Sequence, residues 1–223
     1  MYKRFCEGFH MKDSKLVIWG CGGMGREVNH LCELLNIEVI GFLDERSEMC
    51  GQLIDEIPVL GDLPDIIHLR DQVKVVCAGV GSPQLKKRLV QKTKDFGFSF
   101  ADSLVHPAVQ LSRKIQMGIG SIIGAGTIMT INVHIGHFVI VNSSVTLAHD
   151  VRIFDYVTLS PGVNLSGNVT VEEGVFIGVG SAVREKITIG PWSMIGGGAF
   201  VKDQVPGGVL YAGVPAVFKK NLS

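Results

Sequence analysis

Val105-His106-Pro107-Ala108-Val109-Gln110, Leu111-Ser112-Arg113-Lys114-Ile115-Gln116, Met117-Gly118-Ile119-Gly120-Ser121-Ile122 and Ile123-Gly124-Ala125-Gly126-Thr127-Ile128 open a run of seventeen hexapeptides that reaches Pro206 without an insertion. Each begins with an aliphatic residue or Met, continuing through Met129, Ile135, Val141, Leu147, Ile153, Leu159, Leu165, Val171, Ile177, Val183, Ile189, Ile195 and Val201. Four places later stands a small or β-branched residue, as at Val109, Ser121, Thr127, Val133, Val145 and Ser181. The place after the aliphatic is often Gly, as at Gly118, Gly124, Gly136, Gly178, Gly190 and Gly196. This period predicts a parallel β-helix in which every hexapeptide is one short strand and a corner, and stacked coils bury one continuous core. The glycines are expected to supply backbone conformations closed to other residues at tight corners. A β-sandwich would need turns about every eight to twelve residues and alternating hydrophobicity, and would not keep this phase.

Upstream the pattern changes. Lys15 to Trp19 is an apolar strand running into Gly20-Cys21-Gly22-Gly23-Met24-Gly25, after which Arg26 to Leu35 reads as a helix. A second strand, Glu38 to Leu43, ends at Asp44, and a third, Val73 to Val80, leads through Gly81-Ser82-Pro83 to a helix from Gln84 to Phe96. Alternating strands and helices joined by glycine turns predict a small Rossmann-like parallel α/β domain over 15–100. The coils and a C-terminal tail then occupy 101–223, and 1–14 is a leader. In such a sheet ligands bind outside the carboxyl ends of the strands.

Gly20, Gly22 and Gly25 match the dinucleotide fingerprint, with Asp44 nineteen residues beyond the last glycine. The domain is too short for a second mononucleotide half, so the turn is read as an anion site, for which the N–H groups at a helix start suffice. A tight turn without a ligand is the alternative. Asp44, Glu45 and Arg46 read equally as a grip on base or ribose and as a solvated turn.

With 223 residues, 46% hydrophobic content and a net charge of zero, the chain has room for an ample core and no basic excess to draw nucleic acid or an anionic membrane surface. No apolar run reaches the length of a membrane span. Five cysteines (Cys6, Cys21, Cys32, Cys50, Cys77) are odd in number, lie in the first half and follow no secretory signal. Free thiols and a cytoplasmic location are expected.

If three hexapeptides close a coil, residues eighteen apart lie above one another. One column then holds Ile131, His149 and Gly167, and the next Asn132, Asp150 and Asn168. Of seven histidines, His149 alone has a carboxylate as its immediate neighbour. Asp150 can orient the imidazole and leave its other nitrogen as a base. From spacing alone, an exposed histidine beside an exposed acid is the simpler reading. His134 and His137 fall at different corners with no further ligand nearby, so no metal is expected. Tyr156 and Trp192 read as packing residues.

The runs Asn142-Ser143-Ser144-Val145-Thr146-Leu147-Ala148-His149-Asp150, Ser166-Gly167-Asn168-Val169, Ile177-Gly178-Val179-Gly180-Ser181 and Ala212-Gly213-Val214-Pro215-Ala216 resemble the hexapeptide-repeat sugar acyltransferases. Together with Val17-Ile18-Trp19-Gly20, Gly41-Phe42-Leu43-Asp44 and Ile57-Pro58-Val59-Leu60-Gly61, they are similar to the two-domain branch acting on sialic acid or on nucleotide-linked 4-amino-4,6-dideoxy sugars.

The resemblance implies a left-handed β-helix, a homotrimer, acetyl-CoA as co-substrate, His149 as general base and Asp150 as its support. It implies a nucleotide-sugar site made by Gly20, Gly22, Gly23, Met24, Asp44, Glu45, Arg46, Gly81, Ser82 and Asn142. Acetyl-CoA is expected along Thr158, Gly167, Gly180, Ser181, Gly198, Lys202 and Pro215, between neighbouring β-helices. Two positions depart from the family pattern: the turn often carries His in place of Met24, and some members have a second His in place of Thr158.

The implied reaction is direct attack of a sugar amine on the thioester. The alternatives are O-acetylation of sialic acid or a related sugar and a non-catalytic trimeric scaffold. A nicotinamide-dependent oxidoreductase is a more distant one. Three-fold packing is also expected because the flat faces of a β-helix carry many outward aliphatics.

Overall fold

A computed structural model describes residues 15–222, so the expected leader, with Cys6 and His10, lies outside the described residues. The chain divides into two compact units. One comprises residues up to Val80 together with Leu89–Asp102, and the other comprises Gly81–Arg88 with everything from Ser103 onward.

In the α/β unit, β1 (Lys15–Trp19), β2 (Val39–Leu43), β5 (Val73–Val76) and β6 (Ser99–Phe100) form a parallel sheet of order β2-β1-β5-β6. Leu16, Val17, Ile18 and Trp19 are all buried, the continuous apolar run of a strand covered on both faces. Helix α1 (Gly23–Leu34) buries Val28, Leu31 and Cys32, which recur at helical spacing on one side. It begins earlier than the predicted Arg26, because the glycine motif itself forms the first turn.

The third predicted strand is also shorter than expected, ending at Val76 before a tight helical turn, Cys77–Gly79. A Cβ at Gly79 would strike the carbonyl of Trp19, so the chain must be bare where it crosses β1. Between β2 and β5 the sequence reading missed a two-strand hairpin, β3 (Leu53–Ile54) with β4 (Ile57–Pro58), and a helical turn at Leu63–Leu69 that Asp62 and Asp65 cap reciprocally. Helix α2 (Pro83–Asp95) contributes its residues from Leu89 to this unit.

The coil unit is a left-handed β-helix of about six turns. Its two-residue strands run from β7 (Leu104–Val105) to β23 (Phe200–Val201) and fall into three parallel sheets, one per face. Partners are eighteen residues apart: Ile123 pairs with Val141 on the first face, Leu147 with Leu165 on the second and Ile135 with Ile153 on the third. Rungs are joined by backbone bonds such as Ile122 N to Val139 O at 2.8 Å. From Ile123 onward every hexapeptide-initial aliphatic is buried, alongside Val133, Val139, Val145, Val151, Val157, Val163, Val169 and Val175. The polar exceptions are satisfied inside, as when Ser121 Oγ donates to Gly136 O at 3.0 Å and Ser181 Oγ to Gly196 O at 2.9 Å.

The glycines after the aliphatics do not serve the role expected of them. Left-handed φ occurs two places later, in three corner columns: Lys114, Asn132, Asp150, Asn168 and Lys186 in one, Gly120, Phe138, Tyr156, Gly174 and Trp192 in the second, and Gly126, Ser144, Gly162, Gly180 and Gly198 in the third. Gly118, Gly124, Gly136 and Gly178 lie outside that region, but a Cβ on any of them would collide with the backbone of the next coil. Close stacking, not dihedral freedom, requires them. In the second corner the aromatic rings stabilise a conformation that bulky residues otherwise avoid: Phe138 and Tyr156 stack at 5.8 Å, and the Lys87 ammonium lies 4.8 Å from the Trp192 ring.

The outward aliphatics differ from expectation too. Ile122 and Ile140 on the first face are already buried within the chain, and the exposed apolar residues Ile128, Phe154, Val179, Met194 and Phe200 are scattered over several faces and corners. Beyond the last coil, β24 (Val209–Ala212) continues the first face and β25 (Val217–Asn221) folds back on it antiparallel. No helix among the described residues is long and apolar enough to cross a membrane.

Candidate active site

His149 and Asp150 occupy the corner between the second and third faces. Asp150 has φ 61°, a conformation that Asp and Asn tolerate better than most residues, and it stacks between Asn132 and Asn168 in the same conformation. This turn sets the Asp150 carboxylate beside the preceding side chain: His149 Nδ1 lies 2.9 Å from Asp150 Oδ2. Asn132 Nδ2, one coil below, donates to Asp150 Oδ1 at 2.6 Å. These two bonds, Asn132 first and His149 second, hold the Asp150 carboxyl below the usual carboxylate range. An ionised acceptor at Nδ1 places the imidazole proton there and leaves the lone pair on Nε2.

The other face of the ring meets Gly167, one coil above. A Cβ at Gly167 would strike Cε1 and Nε2 of His149, so the bare backbone makes the room in which the imidazole stands. The third residue of a hexapeptide also has an outward N–H. At Ile119 that N–H goes to His137 Nδ1 at 3.0 Å, and at His137 it goes to Asp155 Oδ1 at 2.8 Å. Among the described residues, the N–H of Gly167 has no such partner. A basic nitrogen and an unspent backbone donor therefore meet in one small region. His149 is 57% exposed, and the region opens outward from the chain.

On the third face, extending to its far corner, lies a depression of about 580 Å³ whose lining includes Gly118, Gly136, His134, His137, Arg152 and Phe154. Arg152 is close enough for its charge to act on Asp150. Sequence reasoning passed over Arg152, and it quoted Asn132 without giving it a role; the eighteen-residue column containing Asp150 was the available signal for Asn132.

The remaining expected residues fall in separate places. Asn142, Gly180, Ser181 and Gly198 lie at the corner between the first and second faces, at the opposite edge of the second face from His149. The Ser181 hydroxyl is turned inward, whereas a Cβ on Gly180 or Gly198 would meet open space. Lys202 belongs to the His149 corner three coils on, and Pro215 to the exposed turn between β24 and β25.

Thr158 is not brought to His149. It lies on the first face, 2% exposed, and its hydroxyl accepts from Lys86 Nζ at 3.1 Å while donating to the carbonyl of Gly81 at 2.9 Å. Gly81 and Ser82 belong to the coil unit, and Ser82 Oγ accepts from Leu85 N at 3.3 Å at the start of α2.

Within the α/β unit, the glycine turn leaves the carboxyl end of β1. A Cβ at Gly25 would strike the Gly20 carbonyl, and one at Gly20 the Gly79 carbonyl, so both are fixed by close backbone approach. Gly22 and Gly23 are open to solvent, and with half-buried Met24 they present N–H groups at the start of α1. At the end of β2, Arg46 and Asp44 form a two-point ion pair at 2.9 Å, and Glu45 pairs with Lys92 at 2.8 Å.

Cys21, Cys32 and Cys50 are free thiols. Among the described residues no group of three or more His, Cys, Asp or Glu is placed to hold a metal ion.

Residues 15–93 match the family model described as the PglD N-terminal domain. The whole chain is similar to a variant of perosamine N-acetyltransferase from Caulobacter crescentus, solved in complex with CoA and GDP-perosamine. Identity there is 30% and the TM-score 0.85, over 93% of this chain and 98% of that chain. It is similar also to the acetyltransferase domain of PglB from Neisseria gonorrhoeae, in complex with acetyl coenzyme A, at 29% identity and TM-score 0.82, covering 93% and 100%. WeeI from Acinetobacter baumannii matches at 26% identity and TM-score 0.83, covering 92% and 100%. Comparison with curated protein sequences finds no match.

Proposed function

Since the chain belongs to the two-domain hexapeptide-repeat sugar acyltransferases, we propose that it moves the acetyl group of acetyl-CoA to the 4-amino group of a nucleotide-linked 4-amino-4,6-dideoxy sugar. The observation that carries this reading is the His149 ring, tied to Asp150 through Nδ1 and left basic at Nε2 over bare Gly167. That is the requirement of an aminolysis. The amine attacks the thioester carbon as a free base, its nitrogen becomes cationic in the tetrahedral adduct, and it must lose a proton before the C–S bond breaks. Nε2 of His149 accepts that proton, and CoA leaves as the thiolate or thiol. An imidazole can both take the proton and release it to solvent.

Asp150 keeps the ring in the productive tautomer and stabilises the imidazolium that forms. The Gly167 N–H is the donor for the oxyanion of the adduct, in a position that costs no reorganisation when charge develops. No acyl-enzyme is needed, because two bound substrates in one cleft supply the proximity. CoA and GDP-perosamine in the Caulobacter complex and acetyl coenzyme A in the Neisseria one support both substrate classes.

A trimer is part of the proposal. His149 stands at one corner of the coil, and Gly180 and Gly198 stand at another, so a groove holding all three is completed by a neighbouring copy.

The test is to incubate the protein with acetyl-CoA and UDP-, dTDP-, GDP- and CMP-linked sugars, amine and hydroxyl acceptors alike, and to follow thiol release and acceptor mass. Acetylated amine product on one nucleotide series is expected. Thiol release with hydroxyl acceptors alone would overturn the proposal in favour of O-acetylation.

A further inference from the structure

At the end of β2 the chain offers two acids and a guanidinium, and the geometry assigns them different work. Asp44 Oδ1 accepts from the backbone N–H of Arg46 at 3.0 Å and from its Nε at 2.9 Å. Asp44 Oδ2 accepts from Arg46 Nη2 at 2.9 Å and from Cys21 Sγ at 3.2 Å. A carboxylate has about four lone-pair sites, and here each has a donor from the chain itself. Glu45 Oε1 takes Lys92 Nζ at 2.8 Å, and the same ammonium reaches Asp62 Oδ2 at 2.6 Å.

An acid in this place in a dinucleotide-type fold recognises ribose by accepting from its 2′-hydroxyl. Asp44, with an 11% exposed side chain and no lone pair to offer, is not arranged for that. The Arg46 side chain is 58% exposed, its bonds to Asp44 use the Nε–Nη2 edge of the guanidinium, Nη2 also reaches Cys21 Sγ at 3.8 Å, and among the described residues Nη1 has no hydrogen-bond partner.

Resting on the reading above that this unit takes the nucleotide part of the acceptor, we propose that Arg46 stacks a guanidinium face on the nucleobase. Asp44 is then a positioning residue, and the site does not select the ribose 2′-hydroxyl. Arginine suits the role because its plane is rigid and weakly hydrated, and a two-point carboxylate partner fixes the orientation of that plane. The Cys21 thiol completes the support. Burial, and then the neighbouring Asp44, push it up, so it stays protonated and donates. Arg46 in turn holds Asp44 at about 2, so the pair is intact wherever the enzyme works. The exposed N–H groups at Gly22 to Met24 remain for the diphosphate, which leaves base and phosphate with separate readers.

Titration calorimetry of the full chain with UDP against dUDP and GDP against dGDP tests this directly. The member of each pair lacking the 2′-hydroxyl is expected to bind within about threefold of its partner. Arg46→Ala and Arg46→Lys should both weaken binding by about 5- to 30-fold, because the plane and not the charge is lost in the second. Asp44→Asn should weaken it by a smaller factor and raise KM for the nucleotide sugar while leaving kcat and KM for acetyl-CoA in place.

A preference of more than about tenfold for the ribonucleotide would overturn the proposal, as would full affinity in Arg46→Lys, which would assign the contact to phosphate charge. If nucleotides bind normally to both Arg46 variants, the proposal falls and the acetyltransfer reading stands. If no nucleoside diphosphate binds the unaltered chain, both fall together.

Discussion

Along the coils nearly every residue has a counterpart eighteen places away, whereas in the α/β unit no position repeats. The difference decides what can be learned from each region. In the coils, a residue is judged against its own column: Ile131 and Gly167 flank His149, so an imidazole there is a departure with a bare neighbour, and a departure inside a regular lattice points to chemistry. Asp44, Glu45 and Arg46 have no column. Their roles separate only through side-chain geometry, in which two carboxylates are consumed internally and one guanidinium is not.

Replacing His149 should produce the largest change and challenges the first half of that contrast most directly. His149→Ala is expected to lower kcat by about 10²- to 10⁴-fold while the melting temperature holds, read by thiol release and calorimetry side by side. Unchanged turnover would mean that a departure from the column marks nothing.

Gly167→Ala is next. Its methyl group displaces the imidazole and not the coil, so we expect kcat to fall by about 10- to 10²-fold with little loss of stability. An alanine enzyme of full activity would remove the bare neighbour from the argument.

Gly136→Ala sharpens the same point from the structural side. Here the methyl meets the Phe154–Asp155 backbone of the next coil, and the cost should appear as about 1–3 kcal/mol in urea unfolding. Two glycines of one lattice would then separate into a functional and a stacking role.

The smallest effect belongs to the α/β unit. Arg46 lowers Asp44 from its ordinary 3.8 to about 2, so the folded form binds this proton less readily than the unfolded chain. The associated stability is present in full above the ordinary carboxylate range and is lost as pH falls from about 4 toward 2. With the Arg46 side chain 58% exposed, solvent screening should hold it to less than about 1 kcal/mol. Trp19 lies in the α/β unit and Trp192 in the coils, so single-tryptophan variants followed by fluorescence from about pH 6 down to about 2 report each region separately. The decline should be seen at Trp19 and vanish in Asp44→Asn.

How much was legible follows the same division. The coil period and the burial of the aliphatic that opens each hexapeptide could be read from spacing, because in a β-helix spacing is geometry; spacing set His149 beside Asp150 but favoured an exposed histidine next to an exposed acid over the bonded pair. The purpose of the glycines could not, since Gly118 and Gly136 are needed for an approach between coils that a one-dimensional reading does not contain. Nor could the early start of α1 at Gly23, in a glycine-rich stretch with poor helix propensity where Gly25 lies directly against the Gly20 carbonyl. The burial of Thr158 and the ion pair between Arg46 and Asp44 depend on side-chain rotamers and on partners far along the chain, Lys86 and Cys21 among them.

The antiparallel strand β25 has a consequence for how such a molecule survives at high concentration. A stack of identical rungs has no intrinsic last rung; its terminal ladder is an unfinished template on which another molecule's chain can add. By reversing direction at the exposed turn before Val217 and laying Lys219 and Lys220 along the margin of the first face, β25 replaces a self-complementary edge there with a mismatched, charged one. On that face, addition of another chain in the parallel register of the coils is disfavoured.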